Sequence, residues 1–457
     1  MKPTPLLIAL GLFIILAGFV YYTSKTPSDV DDESQPILQI ETNEIQSITI
    51  LRPGYDSITI RQNEESGWVF GNPHNAIRTD TAAANMIATN LTELSADRIV
   101  EENVDEWDLF GLQESGTLRL DATVGEGRSY AVVFGDDTPT GSGVFVRLEG
   151  DPRLFTVPGH VKNGFGKEVF DLRDKQLLQV AGDTVSSVVL SGSKKSIEFG
   201  KTSAGDWQIV KPQILRADNY VINDLVRTVS NVEMTAVLED ATGSNRRYSF
   251  KRPMASVEII DEKGPHTLTV VQERGGDEKY YAKSSDTVGT FEVSSAVTSS
   301  LEKTLDDFRN KKLFDFGFKN IANLDVRDDG TNLQIQKQGD TWRLISQNNR
   351  ELTSVKVQAL IDKLRNLTAT AYPSDRAADF VRYDLTKPVV EVKVTTEEGT
   401  VDEVIANFSR KDKAYAARKG QSSIYEVEVA TLKQIQTAIS DVLTPTEESP
   451  PSDEVAE

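Results

Sequence analysis

The sequence predicts an α+β protein in which an N-terminal transmembrane helix is followed by three tandem repeats of mostly antiparallel sheet, with one or two helices in each repeat. Three observations predict this class. An uncharged apolar stretch lies near the N-terminus, tryptophans recur at a nearly constant spacing, and short alternating runs joined by turn residues outnumber helical patterns. The 457 residues are enough for several domains of ordinary size.

The composition excludes several classes of function. The chain has no cysteine, which excludes disulfide scaffolds, thiolate metal sites and thiol nucleophiles. It has only three histidines, too few for a histidine-rich metal centre. With 50 Lys and Arg against 70 Asp and Glu, the net charge of −20 argues against nucleic acid as a main partner. We therefore expect no cofactor, no bound metal and no nucleic-acid partner.

The N-terminal apolar stretch runs without a charge from Leu6 to Tyr22. As a helix it would be roughly 25 Å long, close to the ~30 Å hydrocarbon core of a bilayer. The alternative is a cleaved signal peptide, but bulky Phe19 and Tyr21 stand where such a peptide needs small residues. We therefore predict an uncleaved single-pass anchor over residues 1–25. Because nearly the whole chain follows it, the body is expected on the exported, periplasmic side of the inner membrane.

Two acidic segments flank the predicted body. Residues 26–39 are rich in Pro, Ser and Asp, which is typical of a linker that holds a domain away from the membrane. Residues 444–457 contain five acidic residues and three prolines but few apolar ones, so we predict a disordered tail.

Three tryptophans mark an internal repeat. Trp68, Trp207 and Trp342 lie 139 and 135 residues apart, and each stands in a similar short segment. A second set of aromatic residues keeps this spacing, namely Phe155, Phe291 and Tyr425. Landmarks at a constant offset indicate copies of one structural unit. The predicted units cover residues 40–180, 181–315 and 316–443.

Each unit is predicted to contain the same elements in the same order. It opens with two alternating runs joined by a turn, such as residues 45–50 and 57–61 around Pro53-Gly54, which is typical of a β-hairpin. The tryptophan strand comes next. An amphipathic helix follows, for which the predicted N-caps are Asp80, Asp218 and Ser354. In the first unit, strands at 117–124, 128–134, 143–148 and 153–157 and a short helix at 159–170 complete the pattern.

Several motifs resemble a known family. They are the Gly67-Trp68 strand, the Trp-Asp-Leu-Phe-Gly-Leu run at 107–112, Phe134-Gly135, and the Phe-Asp-Leu-Arg-Asp-Lys-Gln-Leu-Leu run at 170–178. In this combination the chain resembles the bacterial family catalogued as domain of unknown function 4340. Members of that family often accompany an ABC-type transport system of the gliding-motility kind. The resemblance implies an accessory role on the exported side of a membrane complex, and it supplies no catalytic residues.

The charged end of the 170–178 run is the main candidate site. Arg173, Asp174 and Lys175 lead from the first unit into the second, and a similar group, Arg309, Lys311 and Lys312, leads into the third. One interpretation is a contact with a partner protein or a lipid headgroup. The other is a hinge between repeats, in which the charges cap the preceding helix while Leu172, Leu177 and Leu178 pack below it.

Other motifs favour structural interpretations. Gly200-Lys201-Thr202 lacks the first glycine of a phosphate loop. The segment 325–330 resembles a calcium loop, but the missing ligands favour a hairpin turn at Asp329-Gly330. The histidines, at His74, His160 and His266, are expected on the surface or in loops.

No spacing indicates a catalytic constellation, so we predict that the protein is not an enzyme but an accessory or scaffold of an ABC-type transport or envelope complex. Two alternatives stay open: a lipid- or glycan-binding module that uses grooves between repeats, and a hydrolase that uses dispersed carboxylates.

Overall fold

The computed structural model describes residues 35–113, 117–192, 196–238, 248–275, 278–409 and 412–444. It divides the chain into two compact units. The first unit, Met1–Lys175, holds one of the three repeats, and the second unit, Gln176–Glu457, holds the other two. The predicted anchor, most of the predicted linker and nearly all of the predicted tail lie outside the described residues. Within those residues, no helix combines the length and the apolar character that crossing a membrane requires.

The first unit contains one eight-stranded antiparallel sheet. Its strands run in the spatial order β4-β3-β2-β7-β8-β9-β10-β6, and a separate pair is formed by β1 and β5. The bounds are β1 (Gln35–Pro36), β2 (Ile45–Leu51), β3 (Ile58–Asn63), β4 (Gly67–Phe70), α1 (Thr81–Thr92), β5 (Ser95–Ala96), β6 (Arg98–Glu101), β7 (Leu118–Val124), β8 (Arg128–Asp137), β9 (Gly143–Leu148), β10 (Leu154–Pro158) and α2 (Gly159–Phe165).

The second unit contains two nine-stranded antiparallel sheets. In the first of them the elements are β11 (Ser187–Gly192), β12 (Ser196–Lys201), β13 (Trp207–Lys211), β14 (Leu215–Arg216), α3 (Asn219–Ser230), β15 (Met234–Leu238), β16 (Ala255–Asp261), β17 (Gly264–Gln272), β18 (Tyr280–Ser284), β19 (Thr290–Val293) and α4 (Thr298–Leu301). In the other they are β20 (Ile321–Asp328), β21 (Thr331–Gln338), β22 (Thr341–Leu344), β23 (Arg350–Leu352), α5 (Ser354–Arg365), β24 (Ala369–Ser374), β25 (Val390–Thr396), β26 (Val401–Ser409), β27 (Lys413–Arg418), β28 (Ile424–Val427) and α6 (Val429–Leu443).

The three sheets share one topology, and the internal repeat is confirmed. The orders β14-β13-β12-β11-β16-β17-β18-β19-β15 and β23-β22-β21-β20-β25-β26-β27-β28-β24 match the order of the first sheet, except that each has one more short strand at one edge, β14 or β23. In each repeat the long helix carries the chain from one edge of the sheet to the other, where β6, β15 or β24 forms the far edge. The prediction of mostly antiparallel sheet is therefore correct.

Two of the long helices, α1 and α3, begin where an aspartate side chain caps them. The Asp80 carboxylate accepts hydrogen bonds from the backbone N–H groups of Ala82 and Ala83, and Asp218 caps α3 in the same way. The predicted cap Ser354 is wrong by one residue, because Ser354 is already helical and Thr353 holds the N-cap position. Two neighbouring hydroxyl residues, both common N-caps, make this boundary ambiguous in the sequence.

Two further predictions concern the end of a helix and a hairpin turn. The predicted helix over 159–170 ends earlier, at Phe165, and Gly166 follows as its C-cap. The predicted hairpin turn at Asp329-Gly330 is confirmed, since both residues have positive φ and join β20 to β21. Glycine and aspartate allow this turn because they tolerate the left-handed conformation.

The repeated tryptophans occupy equivalent, buried positions. Trp68, Trp207 and Trp342 are 1%, 5% and 6% exposed, and they lie in the equivalent strands β4, β13 and β22, shortly before a long helix. The indole N–H of Trp68 donates to Asn85 of α1, and that of Trp207 donates to Asn223 of α3, both at 2.7 Å. The buried indole ring, with its N–H hydrogen-bonded to the helix, thus holds the helix against the sheet.

A loop covers the second face of the sheet in the first and third repeats. In the first repeat it is the Trp-Asp-Leu-Phe-Gly-Leu motif, whose Leu112 packs on Val133 and Leu154. Gly111 has a φ of +66°, and a side chain at Gly135 would collide with the Phe110 carbonyl. Both glycines are needed because the loop backbone approaches the sheet closely. In the third repeat Leu385 occupies the equivalent place, packed on Ala417 and Ile424.

Replacing Trp207 with Ala should lower the free energy of unfolding by ~3–5 kcal/mol, since it empties a large aromatic site and leaves the Asn223 amide without its donor. The measurement is urea unfolding followed by circular dichroism. Tyr220→Ala, which truncates a ring that is 78% exposed, is the control and should change stability by less than ~0.5 kcal/mol. Equal losses in the two variants would contradict the anchoring role of Trp207.

Candidate functional site

The predicted charged residues lie where each repeat ends. In the first unit, Arg173 pairs with Thr79 in an antiparallel bridge, and the N–H of Asp80 donates to the carbonyl of Leu172. The side chains of Asp174 and Arg78 form a salt bridge with a distance of 3.0 Å. The end of the repeat thus becomes an extra short strand beside the N-cap of its own long helix.

The same arrangement recurs in the second repeat. Arg309 forms an antiparallel bridge with Ala217, and the Asp218 N–H donates to the Phe308 carbonyl. The next residues pair with the third repeat, because Lys312 bridges to Thr368 and the Leu313 N–H donates to the Leu367 carbonyl. We call residues 308–313 the linker strand. Its first half belongs to the edge of one sheet and its second half lies against the other repeat.

The Arg309 side chain locks this junction. It is 3% exposed, although the chain around it is a connecting segment. Its guanidinium donates to both carboxylate oxygens of Asp375, at 2.5 and 3.0 Å, and to the hydroxyl of Ser423 at 3.1 Å. It also lies 3.6 Å from the ring centroid of Tyr372. Burial raises the pKa of Tyr372, so its ring stays neutral beneath the cation.

The predicted site residues are therefore split by the fold. Arg173 and Arg309 are buried, and burial together with nearby Arg78 lowers the pKa of Arg173. Lys175 lies half-buried with its ammonium 5.2 Å from the Phe170 ring, whereas Lys311 and Lys312 are exposed. Leu172, Leu177 and Leu178 are fully buried, as the hinge interpretation expects. A contact with a partner stays a prediction for this group, and the exposed lysines are its accessible members.

His266 forms a second charged cluster that the sequence did not reveal. The prediction that this histidine lies on the surface or in a loop is wrong, because it is 8% exposed in β17. Its Nδ1 lies 2.7 Å from Asp286 and its Nε2 lies 3.1 Å from Asp261. These carboxylates are 20 residues after it and 5 residues before it, so no short motif marks them.

The electrostatics favour a charged His266. Burial alone would lower the pKa of His266, but its hydrogen bonds to Asp286 and Asp261 outweigh burial and raise the pKa above its ordinary value. Burial works in the opposite direction on the aspartates, yet hydrogen bonds from the backbone and from His266 lower the pKa of both. The imidazolium can then donate one N–H to each carboxylate.

The cluster holds the segment that leads into the second repeat. Asp286 accepts the backbone N–H of Gln179 at 2.7 Å, and Asp261 accepts that of Ala181 at 2.9 Å. In the third repeat the corresponding N–H, that of Asp315, donates to Asp402 at 2.6 Å, and Arg418 pairs with the same carboxylate. Different side chains thus meet the same need, which is to fix the leading segment to its sheet.

A cleft of about 460 Å³ lies in the first repeat, beside the Trp-Asp-Leu-Phe-Gly-Leu motif. It opens where β2 ends, β7 begins and β8 ends, so the neighbouring central strands form its floor. Its lining includes cations, carboxylates, an amide and an exposed ring, namely Arg52, Lys162, Asp108, Asp136, Asn163 and Tyr55. Its volume falls within the ~300–1,000 Å³ range of ligand sites.

The described residues contain no group of three or more His, Asp or Glu side chains that could hold a metal ion. The arrangement of His266 agrees with this, because its two nitrogens each face a different carboxylate rather than a common point. The Arg309 and His266 clusters form ion pairs and accept hydrogen bonds from the side chains and backbone around them.

Replacing Asp375 with Leu should lower the free energy of unfolding by ~3–5 kcal/mol, because it leaves the Arg309 cation buried without its partner. Urea unfolding measures the loss, and adding Arg309→Met should recover part of it. The neighbouring Arg376→Met is the matched control, because its side chain is 78% exposed, and it should cost less than ~1 kcal/mol. If Asp375→Leu were as mild as that control, the junction would not depend on the ion pair.

The His266 cluster predicts a pH dependence with a definite sign. A pKa raised in the folded state gives stability that is complete below the unfolded pKa of about 6.5 and is lost as the pH rises through the folded pKa. The stability difference between wild type and His266→Gln should therefore be largest in mildly acidic buffer and shrink toward alkaline pH. Thermal melts across that range measure it. His160→Gln, at an exposed histidine, should show no such trend, and a difference that grows with pH would refute the charged assignment.

Comparison with known proteins assigns the chain to a family. The family model described as domain of unknown function (DUF4340) matches it three times, over residues 68–207, 207–373 and 342–457. No curated protein and no solved structure gives a significant match. The three matches together span most of the chain, and each begins at one of the three repeated tryptophans. The chain therefore belongs to the DUF4340 family.

Proposed function

We propose that the protein is a non-enzymatic scaffold, held in the inner membrane by residues 6–22, with its repeats on the exported side as an accessory to an ABC-type transport or envelope complex. The linker strand is the observation that carries this proposal. A scaffold must keep its surfaces at fixed spacing, and the linker strand gives the second and third repeats a shared hydrogen-bonded segment.

The charged residues of the family motif support the same role. The Arg309 guanidinium donates hydrogen bonds to Asp375 and Ser423, and the Asp174 carboxylate forms a salt bridge with Arg78. These contacts stabilise the ends of repeats. The exposed Lys311 and Lys312 border the same junction and are the surface we propose for the partner.

The experiment is purification of the full chain from its native membranes in a mild detergent. We expect it to pellet with membranes, to be digested by protease added to spheroplasts, and to co-purify with subunits of a membrane transport complex. In the matched control, residues 1–25 are replaced by a cleavable secretion signal, and this exported, soluble chain should lose the co-purifying subunits. A Lys311→Glu, Lys312→Glu variant should keep its fold and recover fewer of them.

Two results would refute the proposal. One is a mature soluble species of the natural chain that starts after Tyr22. The other is a membrane-bound chain that is recovered alone under conditions that keep membrane complexes intact.

A further inference from the structure

We propose that the cleft in the first repeat is a binding site for a neutral saccharide. This site is separate from the repeat junctions and from the scaffold role, and it lies wholly within the first unit. The chemistry of its lining and its place in the sheet lead to this ligand class.

The charges in the cleft oppose an ionic ligand of either sign. Arg52 and Lys162 come from the hairpin turn and from α2, whereas Asp108 and Asp136 come from the loop motif and from β8. A phosphate or carboxylate ligand would meet both aspartates, and a cationic ligand would meet both basic groups. Like charges at close range in a partly desolvated cleft cost binding energy. The mixed lining therefore selects an uncharged ligand.

The same lining suits a ligand with many hydroxyl groups. Ionised aspartates only accept hydrogen bonds, and within the described part of the chain the side chains of Asp108 and Asp136 have no hydrogen-bond partner. Lys162 uses one donor on the Gly135 carbonyl at 2.7 Å, and Arg52 uses one on Glu168, so both retain further donors. A hydroxyl group both donates and accepts, so a saccharide can serve both kinds of group at once.

Tyr55 supplies an apolar surface for the ring of a sugar. It is 63% exposed in the turn between β2 and β3, and the guanidinium of Arg52 lies 4.2 Å from the centroid of its ring. That contact holds an aromatic plane at the mouth of the cleft. A flat ring beside convergent polar groups matches the two sides of a pyranose, whose C–H face is apolar and whose edge is polar.

The position of the cleft argues against an extended peptide. A bound peptide strand needs a free sheet edge for its main-chain hydrogen bonds. The strands under the cleft are β2, β7 and β8, and each has a paired neighbour on both sides in the order β3-β2-β7-β8-β9. The cleft therefore offers no free sheet edge to a peptide strand, and recognition depends mainly on side chains.

Two glycines make the cleft of the first repeat different from the equivalent place in the third repeat. Gly111 and Gly135 both line the cleft. In the third repeat the corresponding positions carry Asp384 and Asn407, and the Asn407 amide donates to the carbonyls of Asp384 and Lys387 at 2.7 and 3.0 Å. A side chain there ties the loop to the sheet, where the first repeat keeps the cleft lined by glycine backbone.

The test is saturation-transfer NMR on the full chain in a detergent without a sugar headgroup, with cellobiose and N,N′-diacetylchitobiose as probes. We expect at least one disaccharide to bind. Asp136→Asn should weaken binding about tenfold, because it removes a charged hydrogen-bond acceptor. Tyr55→Ala should weaken it about three- to tenfold, because it removes the stacking surface.

Matched variants separate this site from general effects. Asp137→Asn changes the next, exposed residue, and Tyr220→Ala removes an exposed ring in the second unit; both should bind like wild type. The proposal is overturned if neither disaccharide binds at millimolar concentration, or if the cleft variants bind as the controls do. Displacement of the disaccharide by inorganic phosphate or by trialanine at equal concentration would also overturn it, in favour of an anion or peptide site. None of these results depends on whether the chain co-purifies with a transport complex.

Discussion

The linker strand is the constraint on which the second unit depends. Residues 308–313 must satisfy two sets of backbone groups, those beside Ala217 in one repeat and those beside Thr368 in the next. An unpaired sheet edge exposes donors and acceptors that would otherwise pair with another chain. Filling both edges with one segment removes that liability, but it also draws Arg309 into the interior. Asp375, Ser423 and Tyr372 then become necessary, because a buried cation is tolerated only with close partners.

The third repeat ends in a longer helix than the first two repeats do. The final helix of the third repeat, α6, has 15 residues, whereas α2 has 7 and α4 has 4. It buries Leu432, Ile435 and Ile439 against its sheet. The carbonyl group of its last residue, Leu443, accepts hydrogen bonds from both terminal nitrogens of the Arg350 guanidinium, each at an N···O distance of 3.2 Å. At the end of the third repeat this longer helix thus covers apolar surface of its own sheet.

The repeats keep their backbone geometry while their polar chemistry diverges. The N–H groups of Gln179 and Asp315 stand at corresponding places and both donate to a buried carboxylate. In one repeat the counter-cation is His266 and in the other it is Arg418. The demand comes from the backbone, since a buried N–H without a partner is costly, and several side chains can meet it. Only the histidine version makes stability depend on pH near neutrality.

The sequence alone determined the features that rest on local pattern and on period. The tryptophan spacing, the alternating strands, the aspartate caps and the Asp-Gly turn are set by sterics and hydrogen bonding between near neighbours, and the structure has each of them. The local errors were one residue at the N-cap of α5, where two hydroxyl residues compete, and five residues at the end of α2. The anchor over residues 6–22 is still a prediction.

Tertiary structure decided everything that depends on residues far apart in the chain. His266 meets an aspartate 20 residues away, Arg309 meets one 66 residues away, and the cleft gathers groups from the first hairpin to α2. No local pattern records these distances, because they follow from how strands pair and where a helix crosses the sheet. Arg309 is buried in an ion pair, whereas Lys311, two residues later, is exposed. The position at which each backbone segment pairs with a sheet edge decides between these outcomes.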